Sequence, residues 1–337
     1  MRAALLPLDL AALAYRAGVF LHRSSYERGW VRRRRLSCRV VSVGNLTLGG
    51  SGKTPTAAWL AVALRRRGHK VAIASRGYGR RSREPVVVVS DGVQTRATLR
   101  TAGDEPLVLA AHAPGIPVLV GPDRSVVGLR AVSAFGADVL VLDDGFHHHR
   151  LARQVELLTI DGGFGFGNRR LFPRGPLREP LSALGRADAI GIVDGPLSAA
   201  DARSVEVFAP RALQFSARRR PRGVRPLAGG AEVPPESLAG LEVGVIAGIA
   251  RPRALRKTVE ALGARVVACR SFPDHHPYRA RDVSDLSRFA THWVTTEKDA
   301  VKILPSWVER ADVRVLAIDL EVAEPDVILD FVEARMR

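Results

Sequence analysis

Residues 38–67 read CRVVSVGNLTLGGSGKTPTAAWLAVALRRR. The first six residues are mostly apolar and predict a short buried strand, and residues 54–67 predict a helix with Ala, Leu and Val on one side. A glycine-rich loop joins the two and ends in Gly52, Lys53 and Thr54. This order is typical of phosphate-binding loops, because small residues let successive backbone N–H groups converge on phosphate oxygens at a helix N-terminus. The stretch therefore predicts a nucleotide-binding α/β domain.

The loop departs at one position from the common pattern G-x-x-x-x-G-K-[ST], because Thr47 stands where the pattern has its first glycine. Gly49 and Gly50 still allow a tight turn. Lys53 is expected to reach the β and γ phosphates of ATP, and the Thr54 hydroxyl to ligate Mg²⁺. The predicted nucleotide-binding residues form one run: Thr47, Leu48, Gly49, Gly50, Ser51, Gly52, Lys53 and Thr54.

A second apolar segment ends in two acidic residues. Residues 137–142 read ADVLVL and predict another buried strand, and Asp143 and Asp144 follow directly. A hydrophobic strand that ends in Asp commonly accompanies a phosphate-binding loop, because the carboxylate holds Mg²⁺ or its water shell. Two adjacent carboxylates are costly to bury unless a cation is near. We therefore expect Asp143 and Asp144 at the metal; capping of the following turn is the alternative.

Composition restricts the class of partner. The chain has 337 residues and a formal net charge of +17, which comes mainly from Arg, and guanidinium groups suit phosphate, nucleic acid or an anionic membrane. Aromatic residues that could stack on bases do not interleave with the basic runs, so nucleic acid is the least favoured of the three. Cys38 and Cys269 are too few for a disulfide framework or a zinc site, which favours a reducing, cytoplasmic compartment.

The start of the chain is mostly apolar but carries a regular polar pattern. Arg2, Asp9, Arg16 and Arg23 recur every seven residues, and in a helix this spacing stacks them into one narrow stripe. Such an amphipathic helix can lie among lipid headgroups, with the basic run at residues 32–35 facing anionic lipid. Contact with a membrane surface is the prediction; packing on the protein's own core is the alternative, and a membrane span is less favoured.

Further apolar segments predict the rest of the fold. Strands are expected at residues 155–161, 189–194, 242–246, 264–268, 293–295 and 313–318, with helices between them. Together they predict an α/β protein: a P-loop NTPase-like parallel sheet flanked by helices, a second smaller α/β domain and the N-terminal amphipathic helix. A stretch rich in Pro, Gly and Arg at residues 221–235 suggests the connection between domains. The expected divisions are residues 1–35, the helix and basic linker; 36–220, the P-loop domain; and 221–337, the second domain, which contributes to the active-site cleft.

Seven short motifs resemble, in the same order, those of the lipid A 4′-kinase (tetraacyldisaccharide 4′-kinase) family. They cover residues 41–302 and are VSVGNLTLGGSGKTP (41–55), SRGYGR (75–80), GDEP (103–106), VLDDGFHH (141–148), PRGPLREPLSAL (173–184), FPDHH (272–276) and TTEKDAVK (295–302). At position 147 this chain has His where the family motif DDGFQH leads us to expect Gln.

The resemblance implies ATP-dependent phosphorylation of the 4′-hydroxyl of a tetraacylated glucosamine disaccharide 1-phosphate, giving lipid IVA. It implies work at the cytoplasmic face of the bacterial inner membrane, with the protein peripheral or monotopic through its first helix. It also implies roles for three residues. Asp104 would be the base, His275 its partner in a dyad, and Glu105 a ligand in the metal shell. Without the resemblance, Asp104 and Glu105 can equally be caps of a helix starting near Leu107.

Other polar residues and other functions stay open in the sequence. Asn168, Arg170 and Arg178 lie in a glycine-rich loop and are candidates for contact with the substrate's phosphate or sugar, or ordinary loop polarity. A P-loop NTPase of the switch or metallochaperone type is the second candidate function, and a membrane-associated nucleotide sensor the third. Neither explains both the N-terminal helix and a base such as Asp104. No obligate protein partner is evident.

Overall fold

The structure is a computed structural model and describes residues 6–308 and 310–337. In these residues twelve strands occur: β1 Arg39–Gly44, β2 Val71–Ser75, β3 Val87–Asp91, β4 Pro117–Val120, β5 Val139–Asp143, β6 Val155–Asp161, β7 Ala189–Val193, β8 Leu213–Pro226, β9 Glu242–Ala247, β10 Arg265–Ser271, β11 His292–Thr296 and β12 Asp312–Val322. The α-helices of the same residues are α1 Leu6–Glu27, α2 Lys53–Arg66, α3 Leu99–Ala102, α4 Asp104–His112, α5 Arg124–Phe135, α6 Ala199–Phe208, α7 Pro252–Ala261, α8 Glu297–Ala300 and α9 Pro325–Met336.

All twelve strands belong to one sheet in the order β10-β9-β11-β12-β8-β7-β6-β1-β5-β2-β4-β3. Two parallel blocks make up most of it. The first block contains β4, β2, β5, β1, β6, β7 and β8, with β3 antiparallel at its edge. The second block contains β10, β9, β11 and β12. The two blocks join through β8 and β12, which run antiparallel, so their strands point in opposite directions.

The register of the long strand β8 places the second block over the carboxyl edge of the first. Residues 213–217 of β8 pair with β7, and residues 217–226 continue past the end of β7 and pair with β12 instead. Strand β12 returns along this extension, and β11 and β9 run beside it in the same direction. The carboxyl ends of β1 and β5 therefore face those of β9 and β11 across one cleft. Ligands of parallel α/β sheets bind at such carboxyl ends.

The core of the first block includes the last helix of the chain. Ile328, Leu329 and Val332 of α9 are buried in the same apolar cluster as Val41 of β1 and Leu157 of β6. At the surface of the protein, Arg67 after α2 pairs with three carboxylates of α9: Asp326, Asp330 and Glu333. The C-terminal helix α9 therefore packs on the first block, although it follows the strands of the second block in the chain.

The predicted strands are confirmed, with ends that differ by a few residues. The sequence predictions did not include β2, β3, β4 and β8. The predicted boundary at residue 220 falls inside β8, and α9 packs on the first block, so the division into two domains stays a prediction. One local prediction was wrong: α4 begins at Asp104 rather than near Leu107, so Asp104 and Glu105 lie in its first turn.

Helix α1 is present as predicted, and its surroundings differ from side to side. Arg2 of the polar stripe lies outside the described residues, as does the side chain of Asp9. Tyr15 packs against the protein and donates a hydrogen bond to the Arg178 carbonyl at 3.0 Å. Leu13, Phe20 and Leu21 are 62%, 52% and 63% exposed. Across the part of the chain that the structure describes, no helix combines the length and the apolar character that a membrane crossing requires.

Candidate active site

The glycine-rich loop between β1 and α2 turns through two glycines with left-handed backbone conformations. Gly49 has a φ of 100° and Gly52 a φ of 85°. A Cβ on Gly52 would lie 3.2 Å from the methyl groups of Val193, so conformation and space both favour glycine there. Thr47 does not have a left-handed backbone, which explains why a non-glycine residue fits at the start of the pattern.

A neighbouring segment holds this loop in place. The Leu48 N–H donates to the Pro176 carbonyl at 2.7 Å, and the Arg178 N–H donates to the Leu46 carbonyl at 2.8 Å. Within the loop, the Asn45 side-chain amide donates to the Thr47 carbonyl at 2.6 Å. These hydrogen bonds fix the curvature of the loop.

Asp143 ends β5 beside the loop, as its position in the sequence predicts. Its carboxylate accepts hydrogen bonds from Ser75 at 3.1 Å and from Thr54 at 3.3 Å. Burial, together with the negative charge of Glu105, raises the pKa of Asp143 to about 7. Among the described residues no Lys or Arg lies within ion-pair distance of this carboxylate. A buried carboxylate next to a hydroxyl, with no cation paired to it, fits a Mg²⁺ ligand pair.

The remaining donors for such a cation are oxygens from outside the protein. In residues 6–308 and 310–337, no group of three or more His, Cys, Asp and Glu side chains could hold a metal ion by itself. Mg²⁺ is commonly bound by one or two protein oxygens together with phosphate oxygens and water, so the Thr54 and Asp143 pair is sufficient on the protein side.

Asp144 faces the cleft and is paired rather than free. Both of its oxygens lie 3.0 Å from Nη1 of Arg178. Burial opposes its ionisation, but the charges of Lys53 and Arg178 hold the pKa of Asp144 well below its usual range. The backbone of Asp144 is left-handed, with a φ of 54°, a strain that is frequent at functional sites. The wall of the cleft next to the phosphate-binding loop is therefore charged, and it is formed by Lys53, Asp144 and Arg178.

Asp104 and His275 meet across the cleft from the two blocks of the sheet. Nδ1 of His275 lies 3.1 Å and 3.0 Å from the two carboxylate oxygens of Asp104. Gly103 allows this placement, because its φ is 89° and a Cβ there would lie 2.3 Å from the Tyr78 carbonyl. His275 itself has a left-handed backbone with a φ of 60°, and its ring packs on that of Tyr78 at 4.6 Å between centroids.

Two lysines from the TTEKDAVK motif complete this cluster. Nζ of Lys298 lies 3.1 Å from Nε2 of His275, 3.2 Å from Glu105 and 3.0 Å from Asp274. Nζ of Lys302 lies 3.6 Å from Asp104. Because an ammonium group only donates, Nε2 of His275 accepts, and Nδ1 carries the hydrogen that faces Asp104.

The neighbouring positive charges therefore keep the carboxylate of Asp104 ionised. Its side chain is buried, which opposes ionisation, but the His275 hydrogen bond and the charges of Lys298 and Lys302 lower the pKa of this carboxyl. The pKa of Lys298 is raised, because Glu105, Asp274 and Asp104 outweigh the effect of burial. The pair presents a carboxylate base and an imidazole that orients it through Nδ1.

A buried carboxylate connects the histidine-rich motif to the loop. Glu179 lies 2.7 Å from Nδ1 of His147, and Arg186 contacts the same carboxylate at 2.6 Å and 3.0 Å. Nε2 of His147 lies 3.0 Å from the Asn45 carbonyl. His147, at the position where Gln was expected, therefore bridges Glu179 and the start of the phosphate-binding loop.

One cleft of about 890 Å³ brings these groups together. Its walls include the loop from Leu48 to Thr54, Glu105, Asp144, His275 and residues of α1. The predicted site residues Thr47, Asp104 and Asp143 are buried directly behind it. Arg178 lines the cleft, whereas Asn168 and Arg170 do not.

The residues that sequence reasoning missed are Tyr78, Lys298, Lys302 and Glu179. Three of the recognised motifs contain them, SRGYGR, TTEKDAVK and PRGPLREPLSAL, but their chemistry alone assigns no role. Each acquires its function from a partner far away in the chain: Tyr78 and Lys298 from His275, Lys302 from Asp104, and Glu179 from His147.

A phosphate-binding loop, a strand-end carboxylate suited to Mg²⁺ and an ionised base within one cleft define the class: a P-loop phosphotransferase. Comparison with known proteins gives the family. The tetraacyldisaccharide-1-P 4′-kinase family model matches residues 1–337. The chain is 41% identical to the tetraacyldisaccharide 4′-kinase of Syntrophus aciditrophicus over 314 residues, which are 88% of this chain and 84% of the relative. It is 43% identical to that of Alkalilimnicola ehrlichii over 296 residues, 87% and 82% of the two chains.

A solved structure agrees. The fold matches the crystal structure of the "apo" form of LpxK from Aquifex aeolicus in complex with ATP, with a TM-score of 0.78 and 29% identity. The match covers 100% of this chain and 99% of that one. This chain therefore belongs to the tetraacyldisaccharide 4′-kinase family and phosphorylates the lipid A precursor. The switch-type NTPase and the nucleotide sensor are set aside.

Proposed function

We propose that this chain binds ATP with its phosphates along residues 47–54 and with Mg²⁺ beside Thr54 and Asp143. The shape of the loop, the N-terminus of α2, which no side chain caps, and the raised pKa of Asp143 support this assignment. Asp144 and Glu105 would contact the water shell of the metal. When bound, Mg²⁺ would neutralise charge on the phosphate oxygens. The Aquifex aeolicus relative was crystallised with ATP, which supports the same nucleotide here.

In the proposed reaction, Asp104 removes the proton of the substrate's 4′-hydroxyl. The hydroxyl oxygen then forms a bond to the γ-phosphorus, and the bond from that phosphorus to the β,γ-bridging oxygen breaks, with its electron pair leaving on ADP. Lys53 stabilises charge on the phosphates, and His275 holds the carboxylate of Asp104 toward the acceptor. This assignment rests mainly on the 3.0 Å contact between His275 and Asp104, beside the cleft that the phosphate-binding loop lines.

The proposal includes a membrane surface. The substrate carries acyl chains, α1 forms part of the cleft wall through Tyr15 and Val19, and its other side exposes apolar residues. We infer that α1 lies at the cytoplasmic face of the bacterial inner membrane, peripheral or monotopic, near anionic lipid. In this arrangement residues 221–337 supply His275 and Lys298 to the cleft, and residues 36–220 supply the nucleotide site.

A double-variant cycle tests the pair. Transfer of labelled phosphate from ATP to the purified disaccharide precursor is measured for Asp104→Asn, His275→Asn and the double variant. Loss of a general base lowers kcat by about 10²- to 10⁴-fold, and two residues that act as one unit give a double variant little worse than the poorer single one. The apparent affinity for ATP should change much less.

The chain offers a matched control pair. Nδ1 of His292 lies 2.8 Å from Asp312 on β11 and β12, outside the cleft, so the same exchanges at His292 and Asp312 should leave kcat nearly unchanged. Near-normal kcat in Asp104→Asn would remove the mechanism. A larger loss together with a raised Mg²⁺ requirement would place Asp104 in the metal shell. ATP turnover at full rate without the lipid would favour a switch-type NTPase.

A further inference from the structure

We propose that a second depression, on a side of α1 adjacent to the side that lines the cleft, binds the phosphate of an anionic glycerophospholipid of the membrane. This arginine groove is formed by one side of α1, the loop at residues 169–182 and the end of α6, and it has a volume of about 480 Å³. The proposal rests on the membrane association proposed above and adds a defined headgroup site to it.

The groove is separate from the cleft. Tyr15, Val19 and His22 of α1 line the cleft, whereas Ala12, Leu13 and Arg16 line the groove, so the helix forms a wall between them. Side chains three to four positions apart lie close together on a helix, so each set occupies one side of α1. The side of the cleft set and the side of the groove set are adjacent. A molecule in the groove would not compete directly with nucleotide or acceptor.

Among the described residues that line the groove, every charged side chain is an arginine. Four arginines line it: Arg16, Arg169, Arg170 and Arg174. Arg169 is neutralised by Asp201, with contacts of 2.7 Å and 3.1 Å. The side chains of Arg16 and Arg170 are exposed and make no ion pair or hydrogen bond with other described residues, and no described Asp or Glu lines the groove. Two unneutralised guanidinium groups therefore face the same space, which favours a phosphate group.

The apolar part of the groove indicates that the phosphate belongs to a lipid. Leu13 is 62% exposed and Phe208 is 38% exposed, and Leu171, Leu177 and Leu181 complete the apolar lining. Inorganic phosphate would leave this surface in water, whereas the glycerol and upper acyl carbons of a phospholipid would cover it. Phe20 and Leu21, on the same helix, expose more than half of their surface and extend the apolar area toward the membrane.

Vesicle flotation with the full-length protein tests the site. Vesicles contain either phosphatidylcholine alone or phosphatidylcholine with phosphatidylglycerol, and wild-type protein should prefer the anionic vesicles. A basic residue at a membrane surface contributes about 1 kcal/mol, or about fivefold in affinity, so Arg16→Gln with Arg170→Gln should reduce this preference by about 25-fold. Arg253→Gln with Arg288→Gln, which removes the same charge from exposed positions in residues 221–337, should reduce it clearly less.

A conservative variant separates a site from diffuse attraction. Arg16→Lys with Arg170→Lys keeps both charges but loses the guanidinium fork, and it should lose a large part of the preference if the phosphate is held by paired hydrogen bonds. Wild-type behaviour of this Lys variant would overturn the proposal, as would equal losses in the Arg253 and Arg288 control.

Two further outcomes distinguish this proposal from the ones it rests on. If wild-type protein floats equally well with neutral vesicles, the headgroup site is wrong while membrane association stands. If it floats with neither, membrane association itself fails. Kinase assays in neutral detergent micelles should give the Gln variant the wild-type KM for the disaccharide. A raised KM there would show that the groove holds the substrate's own 1-phosphate, which also overturns the assignment to phospholipid.

Discussion

The side chain of Lys298 connects His275 of the proposed pair with Glu105 of the proposed metal shell. Its ammonium group contacts His275, Glu105 and Asp274 at 3.0–3.2 Å, and the fully charged form is stabilised by these neighbours. Lys298 thereby selects the tautomer of His275 that donates to Asp104. We regard it as a positioning residue for the pair rather than as a group that touches the phosphate.

Replacing Lys298 by Met tests this role. Met keeps the apolar stem but cannot donate to His275, and the loss of a charged hydrogen bond, about 1.5–3 kcal/mol, should lower kcat by about 10- to 100-fold. The KM for ATP should change little, because the proposed phosphate site lies at Lys53 and not at Lys298. Steady-state kinetics measure both, with exposed Lys257→Met on α7 as the control. Unchanged kcat with a raised KM would argue for direct nucleotide contact instead.

Glu179 is expected to couple stability to acid. Burial opposes its ionisation, but hydrogen bonds from His147, His149 and Arg186 hold the pKa of Glu179 far below its usual range. A carboxyl with a depressed pKa in the folded state contributes stability above its unfolded pKa of about 4.3, and this contribution declines as the pH falls below that value.

Glu179→Gln should therefore lower the free energy of unfolding at pH 7 by about 1.5–3 kcal/mol. The difference from wild type should shrink progressively below about pH 4, because the Glu179 carboxyl of the wild-type protein then binds a proton in the unfolded state but not in the folded state. Urea unfolding from pH 7 to pH 3 measures this, with exposed Glu206→Gln on α6 as the control. A difference that stays constant down to pH 3 would contradict the assigned hydrogen bonds.

Helix α1 has two sides with different surroundings. Its Tyr15 side packs on the loop that carries Arg178, and another side exposes Leu13, Phe20 and Leu21. The sequence left two possibilities for this helix, contact with the protein and contact with a membrane. In the structure one side contacts the protein, and another side exposes the apolar residues that a membrane contact would use. The exposed side supports the membrane prediction, which remains to be tested.

Charged residues on that side should weaken membrane binding. Burying a Phe or Leu side chain is favourable by about 1.5–3 kcal/mol, so Phe20→Glu with Leu21→Glu should reduce affinity for phosphatidylglycerol vesicles by about tenfold or more. Val93→Glu is the control, since Val93 is 93% exposed in a turn between β3 and α3. Sedimentation with vesicles measures the change. Full retention of binding by the double variant would show that α1 is not the main contact.

For the molecule as a whole, the two opposed blocks of the sheet create the site. Each block presents the carboxyl ends of its strands, and the extension of β8 sets the distance between them. The His275 and Asp104 pair, the Lys298 and Glu105 pair, and the pair of His112 with Glu297 at 2.9 Å all cross this boundary. Across the cleft the two blocks contact each other through these charged pairs, whereas the core of each block is apolar.

The packing of α9 predicts where the stability of the first block resides. Leu329→Ala should lower the free energy of unfolding by about 2–5 kcal/mol, because this side chain is 5% exposed and shares a core cluster with β1 and β6. The neighbouring Val327→Ala should have little effect, because Val327 is 51% exposed. Thermal unfolding followed by circular dichroism compares the two. A small loss for Leu329→Ala would show that α9 is a peripheral attachment.

Several features follow from local sequence. Residues 38–67 contain a strand, a turn that needs glycine at positions 49 and 52, and a helix, and all of these depend on neighbours within a few positions. The same holds for the strand that ends at Asp143. Periodicity and turn chemistry act over such short distances, which is why the nucleotide site was predictable. The ordered motifs added the family and the pairing of Asp104 with His275.

Other features depend on contacts that no local pattern encodes. Asp104 and His275 are 171 positions apart, and Lys298 and Glu105 are 193 apart. Their meeting depends on the register of β8 with β12, and β8 was not predicted because its Arg-rich, Pro-containing sequence is unlike a usual strand. Residues such as Glu179 and Lys302 gain their roles only when burial and distant charges surround them. Local composition predicts which elements form, whereas long-range pairing sets which side chains meet and therefore their charge state.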